Sequence, residues 1–142
     1  PSHMWLGLGG GDTLRSYGMD EGSRGGAAMK SLLADHIPPE HLTFLRTAPC
    51  LLSIPGFVFV HAGMRPGIPI SGQSERDLMW LRPDPAFDTT DTPFITVHGH
   101  TPVSDIEVSG RRINIDTGAV FSGRLSCVRV SRTGEIHGLV VD

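Results

Sequence analysis

The chain has 142 residues, 39% hydrophobic and 19% charged, with 18 glycines and 11 prolines. That is the composition of one turn-rich globular domain, long enough to bury a core without a disulfide or a structural metal. With 12 Lys and Arg against 15 Asp and Glu the formal charge is -3, which argues against a generally basic nucleic-acid or anionic-membrane binder. No run approaches the roughly 18 apolar residues of a membrane span and no secretory signal is evident, so a cytoplasmic setting is expected.

Residues 1–4, Pro1-Ser2-His3-Met4, read as a vector scar, which removes His3 from any metal argument. Residues 5–26 are glycine-dense loop with one helical turn from Asp12 to Tyr17. Gly7-Leu8-Gly9 lacks both the third glycine and the preceding strand of a dinucleotide fingerprint. Helices are predicted over Ala27 to Ala34 and over Pro39 to Arg46, the second with proline at its favoured first position and closed by Pro49.

From Cys50 onward the pattern is that of strands. Cys50 to Ile54 and Phe57 to Val60 flank the turn dipeptide Pro55-Gly56. Ser74 to Arg82 reads as a helix, N-capped by Ser74 and ended by Pro83. A strand follows at Phe94 to Val97. Two hairpins come next, Ile106 to Val108 with Arg112 to Asp116, and Leu125 to Val130 with Glu135 to Val141. The order predicts an α/β or α+β layered fold centred on a sheet. Cys50 and Cys127 each lie in an apolar run without a CxxC partner, so free thiols are expected.

Two strands end alike: Phe57-Val58-Phe59-Val60 runs into His61-Ala62-Gly63, and Phe94-Ile95-Thr96-Val97 into His98-Gly99-His100-Thr101. Apolar runs of this kind imply burial on both faces, and in open α/β sheets ligands gather beyond the carboxyl ends of such strands. Neutral imidazoles from adjacent strand ends could converge on one metal ion. Two histidines are too few for a catalytic site, which needs at least three protein ligands. Asp116 is a candidate third ligand or a residue capping the turn before Thr117-Gly118. Arg65 and Arg82 could each hold phosphate in bidentate geometry, with Arg82, directly beyond Trp80-Leu81, the better placed.

Taken together, Trp5-Leu6 with Gly9-Gly10-Gly11, Phe59-Val60-His61-Ala62-Gly63, Met79-Trp80-Leu81-Arg82, His98-Gly99-His100-Thr101-Pro102 and Ile115-Asp116-Thr117-Gly118-Ala119-Val120-Phe121-Ser122-Gly123 resemble the C-terminal half of a bacterial phosphoprotein phosphatase of the calcineurin-like metallophosphoesterase superfamily, lambda-phosphatase-like. The resemblance spans most of residues 5–130. It implies part of a four-layer α/β/β/α sandwich, with a mixed β-sheet and flanking helices. It also implies phosphomonoester hydrolysis by a metal-bridging hydroxide between two divalent metal ions, with manganese first and iron or zinc as alternatives. By the same resemblance His61 and His100 are metal ligands, Arg82 binds phosphate, His98 is at most an outer neighbour of the metal site, and Phe121 lies on a loop overhanging the phosphate.

The family's motifs Gly-Asp-x-His, Gly-Asp-x-x-Asp-Arg and Gly-Asn-His-Glu have no counterpart in this sequence. The resemblance assigns to them the remaining metal ligands and the histidine that protonates the leaving oxygen. The chain is therefore expected to be inactive alone and to need a complementary N-terminal half or to self-associate. The substrate implied is a phosphorylated protein bearing phosphoserine or phosphothreonine, or another phosphoester; symmetrical diadenosine tetraphosphate is the nearest enzymatic alternative. A non-catalytic role confined to assembly is the other. Ile115-Asp116-Thr117-Gly118-Ala119 also looks like an aspartic-protease loop, but too little chain follows it for a flap and a second loop.

Overall fold

Pro55-Gly56 reverses the chain between two strands, and that turn begins the sheet that organises residues 49–142. A computed structural model describes residues 2–19, 33–82, 84, 92–131 and 133–142, in two units, Pro1–Ala48 and Pro49–Asp142.

In the first unit, α1 (Ser2–Trp5) and α2 (Gly11–Ser16) are separated by a kink at Leu8 and Gly9, the glycine at a φ of 93°. Gly18, at a φ of 76°, ends α2 by letting the Met19 amide reach back to the Leu14 carbonyl at 3.0 Å, and both apolar side chains are buried. Helix α3 (Pro39–Thr47) starts on proline as predicted. Of the helix expected over Ala27 to Ala34, residues 27–32 lie outside the described residues; residues 33–36 are helical.

In the second unit β1 (Leu51–Ile54), β2 (Phe57–Val60), β3 (Ile95–His98), β4 (Glu107–Ser109) and β5 (Arg112–Asn114) form one sheet in the order β1-β2-β3-β5-β4. The three central strands are parallel and both outer pairs antiparallel. The sheet is therefore mixed, and the predicted α/β class holds. The segment joining parallel β2 to β3 carries α4 (Glu75–Trp80), the crossover that parallel neighbours require. Helix α5 (Ala119–Ser122) is a single turn.

Side-chain alternation along the strands sorts the two faces. Phe57, Val97 and Ile113 are buried on one face, with Phe59, Ile95 and Ile115 beside them. Val128, Val130 and Ile136 of the hairpin β6 (Leu125–Val130) and β7 (Ile136–Val141) pack against this face. The Ser126 hydroxyl donates to the Ile115 carbonyl and pins the hairpin to the sheet. The result is two sheet layers around one core, as in a sandwich.

The opposite face holds Val58, Thr96, His98 and Asn114, all buried. Residues 64–68 lie over Thr96 and Arg112. Burial on both sides is what the unbroken apolar run of β2 predicts. Both cysteines are free thiols, as expected, though Cys127 is exposed rather than buried.

Candidate active site

The parallel strands β2 and β3 end side by side, so the residues leaving them emerge together. The Gly99 amide donates to the His61 carbonyl at 2.8 Å and locks the two strand exits in register. His100 then takes a φ of 70°, the only positive φ at a non-glycine among the described residues. That left-handed turn, disfavoured for residues with a Cβ, brings the imidazole back toward the neighbouring strand end. His61 Nε2 and His100 Nδ1 stand 3.0 Å apart. Which ring donates depends on the tautomers.

Trp80, the last residue of α4, meets His100 edge-on, with ring centroids 5.7 Å apart. Helix α4 is held by its first turn: the Ser74 hydroxyl oxygen accepts from the Asp77 amide at 3.1 Å, and the Ala62 amide next to His61 donates to the Leu78 carbonyl at 2.8 Å. The helix is thus tied directly to the exit of β2. Arg65 makes a bidentate pair with Asp77 at 2.7 and 2.8 Å. This guanidinium lowers the Asp77 pKa, and the Ser74 hydrogen bond lowers it further.

The His100 pKa is lowered, first by burial, then by the nearby charges of His61 and Arg82, while Asp116 opposes the shift. Lowering keeps the imidazole neutral, the form that ligates a metal. Two converging imidazole nitrogens are a suitable part of a transition-metal donor set, but only a part. Among the described residues no group of three or more His, Cys, Asp or Glu could hold a metal ion, so any metal here needs donors beyond these two.

The remaining candidates separate. Arg82 is near enough to influence His100 electrostatically and lines the groove beside Trp80. His98 is 3% exposed and, with Thr101, Glu107, Arg112 and Asn114, lines a cavity of about 180 Å³ that neither His61 nor His100 borders. Asp116 Oδ1 accepts from the Gly118 amide at 2.9 Å, the turn-capping alternative for that residue. Arg65 is engaged by Asp77, and Phe121 is 88% exposed on α5.

Sequence reasoning passed over Asn114. Its side-chain amide donates to the Thr101 carbonyl at 2.8 Å and its Oδ1 accepts from the Asp116 amide at 3.0 Å. The signal was there: an asparagine inside an Ile-Asn-Ile strand is out of place by propensity and needs a reason.

In fold the chain is similar to a solved structure provisionally described as a diadenosine tetraphosphatase, with a TM-score of 0.56 and 22% identity over 78% of this chain and 59% of that one. What the two share is the fold, a mixed sheet with flanking helices. In sequence the chain is 43% identical over 60 residues to the asymmetrical bis(5'-nucleosyl)-tetraphosphatase PrpE of Bacillus thuringiensis (strain Al Hakam) and of Bacillus anthracis (strain A0248). It is 42% identical over 60 residues to that of Bacillus cereus (strain AH187). Each match covers 42% of this chain and spans 24% of the relative. No family model matches the sequence. The relatives thus carry the asymmetrical designation, where the sequence alone suggested a symmetrical enzyme as the alternative to a protein phosphatase.

Proposed function

We propose that this chain supplies the His61–His100 side of a metal-dependent phosphohydrolase site that cleaves a dinucleoside tetraphosphate asymmetrically. The observation that carries the reading is the 3.0 Å approach of two imidazoles at adjacent parallel strand ends, with Trp80 packed on one of them. The similarity to asymmetrical tetraphosphatases supports the substrate class.

Divalent metal, when bound, supplies Lewis-acid polarisation of the phosphoryl group and a nucleophile at neutral pH. His61 and His100 would hold it, together with donors from the motifs absent here. Arg82 would hold the phosphoryl oxygens through a permanent charge and a planar pair of donors. Trp80 packs against His100 and keeps that ring from turning away. Water adds to one phosphorus, the bridging P–O bond breaks, and a nucleoside triphosphate and a nucleoside monophosphate leave.

A phosphoserine or phosphothreonine protein is the second reading, supported by the Met79-Trp80-Leu81-Arg82 and His98-to-Pro102 motifs. The test is hydrolysis of diadenosine tetraphosphate and of a phosphoserine peptide with manganese. It is run on this chain alone and on a longer protein that joins it to the missing motifs. Turnover of the dinucleotide by the longer protein only, yielding ATP and AMP, is expected. His61→Ala and His100→Ala should each reduce it by more than about a hundredfold, exceeding the loss typical of a ligand's own hydrogen-bond partner. Turnover of the peptide alone would replace the first reading with the second.

A further inference from the structure

Beside the histidine pair lies a groove of about 520 Å³, lined by Arg65, Arg76, Asp77, Trp80 and Arg82 among others. Its size is in the range of roughly 300–1,000 Å³ that small-molecule sites occupy. Three guanidiniums face one carboxylate there, and that carboxylate is already committed to Arg65. Arg76 and Arg82 form no ion pair among the described residues. Three guanidiniums to one carboxylate, on a chain with a net charge of -3, make this groove a local exception to the protein's overall sign. Trp80 lines the same groove, is 52% exposed and also contacts His100, the two ring planes standing at 85°. An exposed indole flanked by guanidiniums that carry no ion pair is an arrangement that can receive a stacked base together with a phosphate chain.

We propose that this groove is a nucleotide subsite, in which Trp80 stacks the base and Arg76 holds the distal phosphates of a nucleoside polyphosphate whose reacting phosphoryl group lies at Arg82 and the histidine pair. The assignment rests on the dinucleotide reading above and deepens it, by naming the residues that would distinguish a nucleotide from a bare phosphate. A phosphopeptide would use Arg82 but has no counterpart for both Trp80 and Arg76.

Calorimetric titration of the 142-residue chain with ATP, inorganic tripolyphosphate, inorganic phosphate and a phosphoserine peptide tests it without any turnover. ATP should bind about tenfold or more tighter than tripolyphosphate, the usual scale of one base stacked on an aromatic side chain. Trp80→Leu should erase that difference. Arg76→Ser should weaken ATP about tenfold while changing inorganic phosphate less than about threefold, and Arg76→Lys should restore most of the loss. Arg76 is exposed and its side chain makes no hydrogen bond among the described residues, so its variants are expected to fold, which circular dichroism checks. Equal affinity for ATP and tripolyphosphate, no effect of Arg76→Ser, or peptide binding tighter than ATP would each overturn the subsite. ATP binding through Trp80 and Arg76 without dinucleotide hydrolysis in the longer protein would instead overturn the hydrolase reading and leave the subsite standing.

Discussion

Asn114 and Thr101 connect the two loops of the site: the asparagine amide donates to the threonine carbonyl at 2.8 Å from the end of β5. The carbonyl lies one residue beyond His100, so the bond fixes the loop just where the backbone is left-handed. The same side chain accepts the Asp116 amide, and Asn114 is 6% exposed. Asn114→Ala therefore leaves a carbonyl and an amide without their partner. The expected cost is about 1–3 kcal/mol, read from urea unfolding, together with weaker manganese binding in the longer protein.

His100 sets a pH dependence of stability. Its folded-state pKa lies below the ordinary value of 6.5, mainly through burial. The unfolded chain therefore binds more protons in the window just below 6.5, and stability rises with pH through that window. His100→Asn suits the left-handed backbone, which asparagine tolerates better than most residues. Urea unfolding between about pH 5 and pH 8 should show a shallower slope for this variant; an unchanged slope would mean that His100 is not responsible.

Ser74 holds the first turn of α4, accepting from the Asp77 amide and donating to Asp77 Oδ2 at 2.7 Å. Ser74→Ala should destabilise by about 1 kcal/mol, the usual loss of an N-cap, and should displace Trp80, detectable as a shift in its fluorescence emission. The Asp77 carboxyl is lowered by Arg65 and then by Ser74. Its stabilising effect is therefore present above the ordinary carboxylate value of 3.8 and is lost as pH falls through the folded value.

The outer face of the β6–β7 hairpin carries Leu125 opposite Val141 and Cys127 opposite Leu139. The three aliphatic residues are 64%, 56% and 57% exposed in that order, and Leu52 on edge strand β1 is 57% exposed. Apolar faces and open edges of this kind pair or aggregate. Light scattering after size exclusion should show the isolated chain self-associating, and Leu139→Lys should reduce it. A monomer at high concentration would refute the expectation.

Local chemistry was enough to place most elements. Pro55-Gly56 predicts the first hairpin, Ser74 the start of α4, Pro39 the start of α3, and the glycine turn at Gly134 the last hairpin; each rule acts within a few residues. The Phe-Val-Phe-Val and Phe-Ile-Thr-Val runs predict strands buried on both faces, and their terminal histidines pointed to a shared site.

Strand pattern alone could not separate His98 from His100, two residues apart in one motif; only the family resemblance assigned the metal to the second of them. The alternation of β3 buries the first beneath the sheet, and a single left-handed residue turns the second toward His61. The two roles of Asp116 and the partner of Arg65 were equally beyond it, because each depends on an atom many residues away. By itself the sequence determined the strands, the turns and the kinds of residue available for phosphate chemistry, since those follow from near-neighbour sterics and hydrophobic pattern. Only the tertiary structure decided which of them meet, because parallel pairing of β2 with β3 and the crossover through α4 bring His61, Trp80 and His100 together from distant stretches of chain.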